Sequence, residues 1–194
     1  MCLKGLYPWG GDIEEGNPKS SVAVVTMSER IKLPEDKVAL WGRMMTENLG
    51  VEKVVANIIS NPRIRHLVLF GKDIRGHKSG ETLLCLHRNG IDEDNRVKET
   101  TGAMPYIENI DTDAIERFQK QIEIVNLLGV TDDNVLLKAL DDLLALGLPP
   151  FGEPYIAIRI TRSKRHMEGM ECRIALYKDI VVDPLGAVDT LEVD

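Results

Sequence analysis

Residues 67–90, LVLFGKDIRGHKSGETLLCLHRNG, constrain the fold more than any other stretch. The run from Leu67 to Phe70 is continuously apolar, the pattern of a strand covered on both faces. A turn punctuated by Gly71, Gly76 and Gly80 follows. Ser79, with Glu81 and Thr82 behind it, opens a helix that Asn89-Gly90 closes. Open parallel sheets are built from such strand–loop–helix units, and they take ligands in the crevice beyond the carboxyl ends of the strands. His77 stands at that mouth. The positive end of a helix dipole disfavours an imidazolium ahead of it, and a neutral ring keeps a lone pair for a metal. One histidine makes no zinc site, so position alone fits a loop-capping or solvent-facing ring equally well.

The rest of the chain extends this unit. Residues 22–26 (VAVVT) read as a first buried strand, whose end, Thr26 with Met27 and Ser28, projects into the same crevice. Pro34 opens a helical pattern through Met45, and a second helix over 51–60 carries Val51, Val54, Val55, Ile58 and Ile59 on one stripe, stopped by Asn61-Pro62. Strand–helix–strand–helix order predicts right-handed parallel crossovers. The expected class is α/β, a Rossmann-like, mostly parallel sheet flanked by helices. Residues 7–19 read as surface turns, 106–110 as a short extended segment, 111–128 as one long helix and 132–146 as another. From residue 151 the pattern alternates, as YIAIRI (155–160) and CRIALY (172–177), which predicts a β-hairpin whose second strand continues through 179–182 into an acidic tail. The expected division is a Rossmann-like domain over 1–150 and a hairpin extension with its tail over 151–194.

Charge and cysteine usage exclude several functions. A net charge of −7 offers no basic stripe for nucleic acid. The RITRSKR cluster (159–165) reads as a solvated hairpin tip. Cys2, Cys85 and Cys172 have no CxxC spacing and fit a reducing, cytoplasmic setting. The N-terminal MCLKGLYPWGG lacks a signal-peptide core, and no window has the length of an apolar membrane span. The glycine spacing of the turn matches neither dinucleotide nor P-loop signatures, and no nucleophile elbow occurs. His66, His87 and His166 sit where a strand entry, a helix end and a hairpin would hold them.

What remains is His77 with Gly80, an H-x-x-G pattern with which cobalamin-binding Rossmann-like domains present an axial imidazole to cobalt. In those domains an aspartate two residues earlier holds the other ring nitrogen. Here that position is Arg75, and the nearest upstream aspartate is Asp73. Four blocks in collinear order, TENLGVEKVVANIISNP (46–62), the strand with its GHKSG turn (67–80), LHRNGID (86–92) and GAMPYIENI (102–110), resemble the A subunit of tetrahydromethanopterin S-methyltransferase. The likeness covers residues 8–129 and weakens beyond Leu128.

That resemblance implies an archaeal, methanogenic one-carbon function. The family subunit binds a cobamide (a cobalamin-type corrinoid) on a Rossmann-like domain and coordinates cobalt through a histidine. With other subunits it moves a methyl group from methyl-tetrahydromethanopterin towards coenzyme M, coupled to sodium translocation. Carried over, His77 is the axial ligand and displaces the cofactor's own base. Contacts to the cofactor are then expected from Thr26, from Glu47, Asn48, Leu49 and Gly50, from Gly71, Gly76, Ser79 and Gly80, and from Gly102, Ala103, Met104 and Pro105. No side chain is expected to act as catalytic acid or base, since the cofactor carries the chemistry. The family pattern is absent over 27–45, so Ser28 and Trp41 receive no role. Family members continue into a membrane helix whereas this chain ends in LGAVDTLEVD, so a soluble homologue or a truncated cytoplasmic domain is expected. The alternative is a soluble corrinoid-binding protein for storage, sensing or assembly.

Overall fold

The computed structural model describes residues 7–158, together with the backbone of 174–177, 180–182 and 188–190. In chain order the elements are β1 (Ile13–Glu15), β2 (Val22–Val25), β3 (Leu40–Gly42), α1 (Leu49–Ser60), β4 (His66–Gly71), α2 (Ser79–Asn89), α3 (Thr112–Gln121), β5 (Glu123–Leu128), α4 (Asp133–Ala145), β6 (Ile174–Tyr177), β7 (Ile180–Val182) and β8 (Val188–Thr190). They fall into two units, Met1–Ile160 and Thr161–Asp194.

The first unit is built on a five-stranded sheet in the order β1-β3-β2-β4-β5, parallel except for β1 at its edge. Every residue of β2 and β4 is buried. Alternation sends Ala23, Val25, Leu67 and Leu69 into one core with Val51, Val55, Leu83, Leu86 and Phe118, contributed by α1, α2 and α3. Val22, Val24, Val68 and Phe70 face the other way, onto Trp41 and onto Leu136 and Leu140 of α4. Each such fully buried Leu, Val or Phe contributes about 1.5–3 kcal/mol. This two-sided cover explains the continuous apolar runs, and the class is the α/β fold expected.

The strand order also places the site. From β2 the chain moves to one side into β3, then crosses back through α1 to β4 on the other side. The connections therefore diverge beyond the carboxyl ends of β2 and β4, and this switch point opens a crevice. The β4–α2 loop, with His77, emerges there.

Several expectations are corrected, three of them in and around the five-stranded sheet. Residues 34–45 hold a turn and β3 rather than a helix. Leu40 and Trp41 go into opposite cores, which a strand permits and one helical stripe does not. The long helix over 111–128 stops at Gln121, whose buried amide donates to the carbonyl oxygens of Asn61 and Ile64, both at 3.0 Å. The stretch that follows, with β-branched Ile124 and Val125, pairs with β4 as β5, with Leu67 opposite Ile124. Residues 7–19 also hold more than surface turns: Tyr7 is buried and β1 pairs antiparallel with β3.

The second unit contains a three-stranded antiparallel sheet, β6-β7-β8. Residues 180–182 turn back on β6 instead of prolonging it, and 188–190 of the expected tail form a strand. Residues 155–158 are irregular, with Tyr155 N–H donating to Ile59 O at 3.1 Å. The RITRSKR cluster, His166, Cys2 and Cys172 lie outside the described residues.

Candidate functional site

The β3–α1 loop brings the decisive partner to His77. Glu47 is 2% exposed, and its Oε2 lies 2.7 Å from His77 Nδ1. Its Oε1 accepts the Met104 N–H at 2.8 Å. Burial alone pushes the Glu47 carboxyl up. Its own backbone N–H, that of Met104 and the His77 ring outweigh that effect and hold it below the ordinary carboxylate range. An ionised carboxylate can only accept, so the hydrogen of that bond belongs to Nδ1. In the neutral ring that tautomer leaves the lone pair on Nε2, on a side chain that is 53% exposed. A histidine oriented through one nitrogen by a carboxylate, with the other nitrogen available, is the arrangement found around metal-ligating imidazoles. Among the described residues no three His, Cys, Asp or Glu side chains converge on a metal position. A single imidazole donor suits a metal that brings its remaining ligands with it.

Close packing fixes the segment opposite. A Cβ built on Gly102 would lie 2.7 Å from Thr82 Oγ1 and 2.9 Å from His77 O, so only glycine lets this loop approach the imidazole turn. Thr82 Oγ1 and Thr100 Oγ1 are 2.8 Å apart, and Glu81 Oε1 accepts both the N–H and the hydroxyl of Thr101. Farther along, Glu52 is 1% exposed and accepts the N–H groups of Glu108 and Asn109. Glu47, Glu52 and Glu81 thereby clamp residues 101–109 from two sides.

The other candidates divide. Asn48 caps α1, its side chain accepting the Leu49 N–H at 2.7 Å, and Gly50 N–H donates to Thr46 Oγ1 at 2.9 Å. Thr26 is buried and gives its hydroxyl to Glu29 O, so it shapes the exit from β2. Gly71 and Gly76 take φ of 96° and 87° in the His77 loop. Ser79 Oγ ties α2 to Met44 O, and Gly80 packs against Leu128 and Met27. Pro105 is buried, its carbonyl accepting the Val97 N–H, whereas Ala103 and Met104 are exposed. Met104, Met45 and Leu49, at 60%, 44% and 44% exposure, put apolar surface on the two loops that Glu47 joins. A cavity of about 190 Å³ beneath α1 reaches the Thr46–Gly50 turn and is walled by Ile13, Ala23, Val25, Leu40 and Val54.

The remaining described histidines are built in. His87 Nε2 lies 2.8 Å from Ile122 O, and its ring meets Phe118 edge-on. His66 is fully buried in β4. Two features of the site have no local signature. The carboxylate partner of His77 comes from Glu47, thirty residues upstream in sequence, and Asp73 serves α2 instead of the imidazole. The acidic Glu52 within the apolar stripe of α1 is a readable sign that a carboxylate is buried there.

Residues 4–168 match the family model described as the A subunit of tetrahydromethanopterin S-methyltransferase. A protein provisionally named as the A subunit of methyltransferase Mtx, from Methanosarcina barkeri strain Fusaro, is 45% identical over 76% of this chain and 75% of its own length. The A 1 subunit of tetrahydromethanopterin S-methyltransferase from Methanothermobacter thermautotrophicus is 42% identical over 84% of this chain and 70% of its own. The A subunit of the same enzyme from Methanosarcina barkeri is 39% identical over 82% and 68%. The match runs past Gly129, where the likeness was expected to fade. This chain belongs to the family of the A subunit of tetrahydromethanopterin S-methyltransferase, one of the components of a methyltransferase.

Proposed function

We propose that the chain is a cobamide-carrying component of a methyltransferase, with His77 Nε2 as the axial ligand of cobalt. The observation that carries this reading is the Glu47–His77 pair at the switch point of the sheet. A cobamide held there supplies the nucleophile that takes a methyl group from one substrate and yields it to the next. The chain's own residues hold and orient. Glu47 holds the proton on Nδ1, so that in the neutral ring the lone pair lies on Nε2. Gly102 permits the close approach of the 101–109 loop, and Met45, Leu49 and Met104 offer apolar surface to a broad ring. The relatives' names, which join tetrahydromethanopterin to S-methyl transfer and call the chain a subunit, support methyl-tetrahydromethanopterin as the proposed donor and other subunits as the partners that complete the reaction. A sulfur acceptor fits the S-methyl of the name, and coenzyme M is the acceptor proposed. Protonation of Nε2 competes with coordination, so axial ligation weakens in acid.

Gel filtration with hydroxocobalamin tests the first step. Corrinoid absorbance should co-elute with the protein near one per chain, with a spectrum of imidazole ligation, and elution without corrinoid would refute the assignment. Reduced, loaded protein given methyl-tetrahydromethanopterin and candidate partner subunits should then acquire the methyl group. If it binds corrinoid yet never acquires methyl, the chain is a corrinoid-holding protein without turnover.

A further inference from the structure

We propose that Asp73 is the positioning residue for His77: its carboxylate closes the loop that carries the imidazole and so sets the ring against Glu47. The functional consequence rests on the reading of His77 as an axial ligand, while the geometry stands apart from it. The residue in the capping position of α2 is Lys78, in the left-handed conformation with φ 53° and ψ 42°, and no side-chain bond from it caps the helix. A lysine has no acceptor to offer. The first N–H groups of α2 still require one.

Asp73 supplies it from across the loop. Its Oδ1 accepts the Gly80 N–H at 2.8 Å and the Ile74 N–H at 2.8 Å, and its Oδ2 accepts the Glu81 N–H at 3.0 Å. Inside that closure, Ile74 O accepts the Lys78 N–H at 2.8 Å. His77 therefore sits in a turn closed twice, once by backbone and once by Asp73. The closure matters because left-handed backbone is unfavourable for a residue with a Cβ, so Lys78 relaxes when the constraint is lifted. Relaxation at Lys78 reorients the adjoining His77 while Glu47 stays fixed by Met104 and its own buried site. Asp73 makes no bond to the imidazole, and it acts through the shape of the turn.

The test begins on protein without corrinoid. Imidazole ¹⁵N shifts of wild type should show His77 in one tautomer, protonated at Nδ1. Asp73→Ala should average that signal towards a free imidazole and speed hydrogen exchange at the Gly80 and Glu81 amides. Asp111→Ala, which removes the carboxylate accepting the Ala114 N–H at the start of α3, is the control for loss of a helix cap elsewhere. It should leave the His77 signal unchanged. If Asp73→Ala does not fold, Asp73→Asn decides: it keeps one acceptor oxygen, so exchange should rise at Glu81 more than at Gly80, with partial averaging of His77. A wild-type His77 signal in the folded Asp73 variants, or equal averaging in Asp111→Ala, overturns the proposal. With hydroxocobalamin, Asp73→Ala should weaken binding by less than the about 10–100-fold expected for a direct partner of a metal-bound histidine such as Glu47, because it acts one step farther out. If wild type binds no corrinoid while the ¹⁵N result holds, the axial-ligand reading fails and the positioning role stands.

Discussion

A histidine stands at each end of the β4 unit, and the two have inverse surroundings. His66 opens the strand with its ring fully buried and neither nitrogen hydrogen-bonded, and the nearby Glu123 carboxylate, 3.8 Å away, belongs to a side chain that is 76% exposed. His77 follows the strand with its ring half in solvent, and its carboxylate partner is the buried member. A buried charge is costly unless it is satisfied, so a fold that keeps one in order to aim an exposed ring points to a task for that ring. A buried ring beside an exposed charge fills volume. The amino end of the sheet is closed by packing, and the carboxyl end holds the groups that can meet a ligand.

The sharpest way to break this contrast is His77→Ala. Loaded with hydroxocobalamin, the variant should lose the imidazole-ligated visible spectrum entirely, whereas a change at His66 should not. An unaltered His77→Ala spectrum would mean that the wrong end of β4 has been chosen. Next in size is Glu47→Gln, which retains the shape but removes the charge that fixes the tautomer. Spectrophotometric titration should find corrinoid affinity lowered about 10–100-fold.

His66 sharpens the comparison through stability. Burial holds its imidazole below the ordinary histidine range, against a smaller opposing effect from Glu123. The unfolded chain therefore takes up the proton first, near pH 6.5. Stability is full above that pH and declines as pH falls towards the folded-state value. His66→Leu should remove this slope and, by eliminating unsatisfied nitrogens, stabilise the fold by about 1 kcal/mol at neutral pH. Urea unfolding at pH 7.5 and 5.5 measures both. Glu47 responds later: its lowered carboxyl contributes stability above about pH 4.3, lost as pH falls towards and through the folded-state value. Smallest is His87→Ala, which gives up the contact with Ile122 O. It should cost under about 1 kcal/mol in the same urea experiment and leave the corrinoid spectrum untouched.

The sequence discloses those parts of the fold whose local pattern has one solution. β2 is apolar throughout and β4 from Leu67 to Phe70, α2 has its start and stop residues, and α1 and α4 carry long stripes. β3 and β5 are hidden because Leu40-Trp41 and Ile122–Leu128 fit a helical stripe as well as a strand. The choice is made by pairing with β2 and β4, which no local window contains. The site divides likewise. His77 is visible from its glycine loop, and Glu47 as a member of the TENLG block. Their bond joins two loops brought together only by the crossover of α1. Asp73 reads locally as a displaced partner for the imidazole, yet it serves the helix end because Lys78 cannot.

The pairing of β2 with β4 also has a kinetic side. Val22 meets His66 only after β3 and α1 have been laid out between them. Contacts so distant in sequence require a long loop to close first, which slows folding. The crevice lies beyond the carboxyl ends of this pair, and the loops around it come from β3–α1, β4–α2 and residues 101–109, so it cannot form ahead of the molecule as a local module. A ligand that needs the assembled crevice binds the folded state preferentially, and that preference adds to the stability of the fold. Refolding of the polypeptide alone should set the rate at which binding competence appears.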